Sequence, residues 1–161
     1  TRDWGTGASP ALHNDRLFLL NDNEEQSFVA AFDTRTGKEL WRTPRTVQPA
    51  RKSGWSTPFV WENRVRTELV TLGPAVAISY SLDGKELWRL NRMGGVAIQS
   101  PFAWNDLLFV TSGSGGDPQR LRRVVRPACR RHVLAHPGHL QECVVCAERQ
   151  RHLLASQRRD R

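Results

Sequence analysis

Residues 1–117 contain no cysteine, so no disulfide staples this stretch and it carries no signature of a redox compartment. They have no charge excess either. Thirteen Lys and Arg face thirteen Asp and Glu, which gives this region no electrostatic reason to seek phosphates. No run of 18 apolar residues occurs, which excludes a transmembrane helix. No basic segment followed by an apolar one opens the chain, so no signal peptide is visible. There is no initiator methionine at Thr1, and Met93 is the only methionine. The chain is accordingly expected to be a piece of a longer protein. Helical periodicity is absent from residues 1–117.

The net charge of +8 comes from the rest. Residues 118–161 hold 11 Arg, no Lys and three acidic residues, Glu142, Glu148 and Asp160. All six Trp, all six Phe and Tyr80 precede this segment, whereas Cys129, Cys143 and Cys146 lie within it. The composition therefore divides the chain into residues 1–117 and an Arg-rich tail, 118–161. The tail lacks aromatic side chains for base stacking, and no nucleic-acid partner is expected.

What residues 1–117 do contain is a repeat. Gly37-Lys38-Glu39-Leu40-Trp41-Arg42 returns 47 residues later as Gly84-Lys85-Glu86-Leu87-Trp88-Arg89. Pro58-Phe59-Val60-Trp61-Glu62-Asn63 returns 43 residues later as Pro101-Phe102-Ala103-Trp104-Asn105-Asp106, and Pro10-Ala11-Leu12-His13-Asn14-Asp15 is a weaker first copy. Two interleaved markers of similar period indicate a repeat architecture.

Each unit predicts four short strands. The first has them at 8–13, 17–20, 26–32 and 38–42, and the second at 56–61, 64–72, 75–82 and 85–89. The third starts at 100–104 and 107–112 and then stops. Asp83-Gly84 is a strong hairpin signal, because both residues tolerate a positive φ. Pro10, Pro58 and Pro101 each open a first strand, where a missing ladder donor does no harm on a sheet edge. The expected fold is all-β: an incomplete propeller of about two and a half four-stranded blades, followed by an irregular or helical basic tail.

The pattern Ala31-x-Asp33-x-x-x-Gly37-x-x-x-Trp41 resembles the tryptophan-docking motif of pyrroloquinoline-quinone-type propellers. In the second copy Gly84 and Trp88 match, but the turn is one residue shorter. Ser79 and Ser81 fall where Ala31 and Asp33 stand, which implies a differently hydrogen-bonded blade contact. The resemblance covers residues 8–116. It implies that Trp41 and Trp88 pack between blades, with Ala31, Asp33, Gly37 and Gly84 shaping the contact. Trp61 and Trp104 end inner strands and read as core or channel-mouth aromatics, and His13 shares their position.

The resemblance implies two classes of function. One is a non-catalytic binding scaffold, similar to the lipoprotein propeller of the outer-membrane β-barrel assembly machinery. Its expected partners are the remaining blades of the parent and a protein ligand, in a periplasmic or extracytoplasmic setting. The other is a piece of a quinoprotein dehydrogenase, which would need the quinone, Ca²⁺ and an Asp base. Several family members hold an adjacent Cys pair over the quinone, and residues 1–117 have none. The scaffold is the expected class, with no catalytic, cofactor or metal residue assigned. Asp22, Glu24 and Glu25 offer oxygen ligands for Ca²⁺ but are more simply a solvated loop.

The tail permits two further readings. Cys129, His132, Cys143 and Cys146 are four possible zinc ligands. A helix over 139–154 would place His139, Cys143 and Cys146 on one face. Against both stands a tail, 118–161, that is disordered or translated out of frame from about residue 118. The next blade-ending Trp is due near residue 135, and no Phe, Trp or Tyr follows Phe109.

Overall fold

The computed structural model describes residues 7–46, 52–91, 93–112, 121–127 and 142–146. They form twelve strands in three four-stranded sheets and, among the described residues, no helix. None is therefore long and apolar enough to cross a membrane.

Sheet 1 runs in sequence order through β1 (Ala11–His13), β2 (Arg16–Asn21), β3 (Phe28–Asp33) and β4 (Glu39–Pro44). Sheet 2 repeats this with β5 (Phe59–Glu62), β6 (Thr67–Gly73), β7 (Val76–Tyr80) and β8 (Glu86–Asn91). Both are antiparallel meanders. Each carries a β-bulge at the same place in the repeat, between Ala31 and Phe32 in sheet 1 and between Ser79 and Tyr80 in sheet 2. Ala31 pairs with Trp41, and Ser79 pairs with Trp88. The two repeats therefore match in three dimensions at the bulge and at the residue paired with the tryptophan.

Sheet 3 contains β9 (Phe102–Trp104), β10 (Leu107–Ser112), β11 (Leu121–Arg126) and β12 (Glu142–Cys146). It extends past the expected stop at Ser112. β11 pairs antiparallel with β10, setting Val125 opposite Leu108 and Val124 opposite Phe109. The Val pair supplies the β-branched apolar surface that a half-buried strand needs, and both valines are buried. β12 then lies parallel to β11, where the other sheets have an antiparallel hairpin. No Gly-Lys-Glu-Leu-Trp-Arg segment follows β11 to make that hairpin. The helix expected over 139–154 is not formed at Glu142–Cys146, which is strand. The adjacent Val144 and Val145 favour that conformation. The one-face grouping of His139, Cys143 and Cys146 depended on that helix. Cys129, His132 and His139 lie outside the described residues.

Turn chemistry follows local sequence. Asn105 and Asp106 both take positive φ, 50° and 61°, as a two-residue primed turn demands. The Asp83-Gly84 turn departs from expectation. Only Gly84 is positive, at 85°, and the amide of Ser81 bonds the carbonyl of Lys85. The turn spans Ser81 to Lys85 and places its glycine last, so Asp83 keeps an ordinary backbone. In sheet 1 the matching turn runs from Asp33 to Lys38, one residue longer, with Gly37 at φ 71°.

The sheets stack face to face on two apolar layers. Phe18, Val29 and Ala31 of sheet 1 meet Leu69, Val76, Ile78 and Tyr80 of sheet 2. Val70, Leu72, Ala77 and Trp88 of sheet 2 meet Leu108, Val110 and Val125 of sheet 3. Each fully buried side chain of this size contributes about 1.5–3 kcal/mol from water exclusion. The first strands of successive sheets also touch, β1 against β5 and β5 against β9.

Candidate functional site

The most specific contact between sheets is a turn of sheet 2 gripped by sheet 1. The Trp41 Nε1–H donates to the Leu82 carbonyl at 2.9 Å. Thr43 Oγ1 donates to the Gly84 carbonyl at 2.8 Å. Arg16 Nη1 donates to the Leu82 carbonyl at 2.7 Å and to Asp83 Oδ1 at 3.1 Å. The Trp41 ring lies directly over Gly84. A Cβ added there would sit 2.7 Å from Cε3 and 2.8 Å from Cδ2. Gly84 is thus required twice, by its positive φ and by the indole above it. Phe18 also packs against Trp41, with ring centroids 6.1 Å apart and planes tilted by 44°.

Trp88 occupies the same strand position and behaves differently. Its Nε1–H donates to Glu68 Oε2 of its own sheet at 2.6 Å. Glu68 is buried and accepts further bonds from Ser79 Oγ and from Arg66 Nε. Glu68 stands where Arg16 stands in sheet 1, since each lies on the second strand two residues before the partner of the strand-three Ala31 or Ser79. One repeat position thus holds a cation reaching forward in sheet 1 and an anion folded inward in sheet 2.

Asp33 serves its own turn. Its Oδ1 accepts bonds from the Arg35 amide, the Thr36 amide and the Thr36 hydroxyl. These bonds, the Thr36 hydroxyl first among them, hold its carboxyl below the usual range. Its contribution to stability is therefore present at neutral pH and is lost as pH falls through the lowered value. In an NMR titration Asp33 should protonate below an ordinary aspartate, and Thr36→Ala should move its midpoint up. An unchanged midpoint in that variant would contradict the assignment.

The docking residues grouped by the sequence motif do not all converge. Ala31 is buried beside Trp41, and Gly84 and Trp41 touch. Gly37 is exposed with nothing within 4 Å of its added Cβ, and Trp88 packs in the apolar layer toward sheet 3 while its Nε1–H bonds within its own sheet. Two participants carried no motif: Arg16 and Thr43.

A second polar cluster was also missed. Arg45, just past β4, makes a two-pronged salt bridge to Asp22, with Nε–Oδ1 at 2.8 Å and Nη2–Oδ2 at 3.0 Å. Both side chains have no solvent exposure. Arg45 Nη1 also donates to Thr71 Oγ1 and to the Tyr80 hydroxyl. Burial acts to lower the Arg45 pKa, but the electrostatic attraction of Asp22, that of Tyr80 and the hydrogen bonds to both together outweigh it and hold the guanidinium above its usual value. Burial pushes the Tyr80 hydroxyl up, so it stays neutral beside that charge. Asp22 is therefore not part of a solvated loop. Nor is Glu24 unengaged: it accepts bonds from the Lys52 and Ser53 amides and from Ser53 Oγ. A repeat offset could have disclosed the cation, because Arg45 and Arg92 each stand four residues after the blade tryptophan. Arg92 lies outside the described residues.

At the sheet ends, His13 Nδ1 lies 3.5 Å from Glu62 Oε1, and Arg64 pairs with Asp106 at 3.1 Å. The first links sheets 1 and 2, and the second links sheets 2 and 3. A cleft of about 310 Å³ lies beside His13, Asp15, Arg16 and Asp83. Its one guanidinium is already spent on Leu82 and Asp83. Among the described residues no group of three or more His, Cys, Asp or Glu is placed to hold a metal. No protein-family model matches this chain, and no curated protein matches it.

Proposed function

We propose that this chain is a stretch of β-propeller of the quinoprotein-like kind, and that it serves as a non-catalytic scaffold for a protein partner. The observation that carries the reading is the inter-sheet contact. First strands adjoin from sheet to sheet, and Trp41 of sheet 1 packs on the glycine turn of sheet 2. Radial stacking of four-stranded meanders about adjoining inner strands is the propeller arrangement.

The employment of the polar groups supports a scaffold over a dehydrogenase. A quinoprotein site needs carboxylates available to Ca²⁺ and to substrate. Here Asp22 is bound to Arg45, Glu68 to Trp88, Ser79 and Arg66, and Glu24 to backbone amides. Trp41 and Trp88 are each fixed by an indole hydrogen bond and are not platforms for a quinone.

The test is direct. The chain is supplied with pyrroloquinoline quinone, Ca²⁺ and a primary alcohol, and dye reduction is followed. No alcohol-dependent rate above the protein-free control is expected. Turnover abolished by substituting one acidic residue within 1–117 would overturn the scaffold reading in favour of a dehydrogenase.

A further inference from the structure

Asp83-Gly84 is the one Asp-Gly step in the sequence, which has no Asn-Gly step. Such a step is open to backbone isomerisation, because glycine has no Cβ to crowd its nitrogen as it attacks the preceding carboxyl. The reaction needs only water. The Gly84 nitrogen bonds to Cγ of Asp83, and the carboxyl loses an oxygen as water, with one proton from the amide and one from the carboxyl in its acid form. Water then adds to the main-chain carbonyl of the cyclic imide and breaks its bond to nitrogen. The chain now runs through Cγ, one methylene longer, and the old main-chain carbonyl has become the side-chain carboxylate.

In the docked turn both reactants are engaged. The Gly84 N–H donates to the Ser81 carbonyl at 3.0 Å. Asp83 Oδ1 accepts from Arg16 Nη1 at 3.1 Å, although the Asp83 side chain is 84% exposed. Trp41 lies over Gly84 with its Nε1–H on the Leu82 carbonyl, and Thr43 holds the Gly84 carbonyl. Those two carbonyls flank the step. The backbone therefore cannot swing the nitrogen toward Cγ without breaking hydrogen bonds from sheet 1. The equivalent turn of sheet 1 has no such step, because Asp33 is followed by Thr34 and Gly37 is preceded by Thr36.

We infer that Asp83 is a site of spontaneous isoaspartate formation, closed while sheet 1 grips the turn and opened by local release of that grip. A turn at the surface opens locally far more often than the whole chain unfolds. The product also changes the joint. With a methylene added between the Leu82 and Gly84 carbonyls, Trp41 and Thr43 cannot both regain their acceptors. One isomerisation therefore leaves the contact between sheets 1 and 2 loosened. The inference rests on the docking contact and not on the scaffold reading, which dye reduction tests separately.

The experiment is incubation of the full chain at neutral pH in heavy-oxygen water, folded or in urea. Trypsin then releases residues 67–85, in which Asp83 is the only Asp or Asn, for mass spectrometry. Each passage through the imide leaves one heavy oxygen, and an isoaspartyl methyltransferase counts the isomer. Label should enter Asp83 at least about tenfold more slowly in the folded chain than in urea. Trp41→Phe and the shape-conserving Thr43→Val each remove one hydrogen bond, and each should speed labelling of the folded chain about two- to tenfold. Val110→Ala destabilises the layer between sheets 2 and 3 without touching the turn, and should keep the rate within about twofold of wild type. A chain isomerised in urea and refolded should unfold at lower urea than one kept folded, and repair by the methyltransferase should restore the midpoint. Equal labelling in the folded chain and in urea overturns the inference. So does acceleration by Val110→Ala that matches Thr43→Val, which places the reaction in the globally unfolded chain. An unchanged midpoint in the isomerised chain overturns the loosening of the joint.

Discussion

Asp22→Ala should cost about 3–5 kcal/mol, because it leaves the Arg45 guanidinium charged, fully buried and without its counter-ion. Thr71 Oγ1 and the Tyr80 hydroxyl remain as acceptors, but neither carries compensating charge. Domains of this size are stable by only about 5–15 kcal/mol, so the loss is a large fraction of the whole. With urea slopes of about 1–3 kcal/mol/M, the unfolding midpoint should fall by more than about 1 M. Asp22→Leu combined with Arg45→Met should recover most of the loss, since an apolar pair replaces both charges together. That recovery separates an orphaned charge from a cavity, which the double variant would not repair. A single-variant loss below about 1 kcal/mol would contradict the burial of the pair.

The pair matters because of where it lies. Arg45 opens the connection from sheet 1 to sheet 2, and Asp22 follows β2 of sheet 1. Thr71 and Tyr80 belong to sheet 2. The cluster therefore ties the two sheets at the end away from the Leu82 turn, where Trp41, Thr43 and Arg16 hold them. Sheet 1 meets sheet 2 through an apolar layer with a polar clamp at each end.

How far these features show in the sequence depends on range. Pro58 and Pro101 stand immediately before β5 and β9, and Asn105-Asp106 forms the turn its residues favour. Both are local effects, settled within four residues. The Gly84 requirement is half local. Its positive φ is written in the turn, but the indole above it comes from a residue 43 positions earlier. Glu68 was hidden because a charged residue within a strand ordinarily marks a solvent-facing position. Only the fold brings Trp88, Ser79 and Arg66 to it. The Asp22–Arg45 pair was hidden for the same reason: an acidic loop and a basic connection both read as surface. The helical reading of the tail failed on Val144-Val145, where two adjacent β-branched residues outweighed the i, i+4, i+7 spacing of His139, Cys143 and Cys146.

Gly84→Ala should be about as damaging as Asp22→Ala, and its matched control is built into the repeat. At φ 85° an alanine pays about 1–2 kcal/mol for the left-handed conformation. Its methyl would also meet the Trp41 ring at 2.7–2.8 Å and Thr43 Oγ1 at 2.9 Å. The ring must then move, loosening the Trp41–Leu82 and Thr43–Gly84 hydrogen bonds, each worth about 0.5–1.5 kcal/mol net. Overpacking adds about 1–3 kcal/mol. Gly37→Ala carries only the conformational part, because φ is 71° and nothing lies within 4 Å. The measurement is equilibrium urea unfolding of both variants beside the wild type. Docking of sheet 1 on the turn of sheet 2 predicts that Gly84→Ala costs at least about 2 kcal/mol more than Gly37→Ala. Equal losses for the two would contradict it.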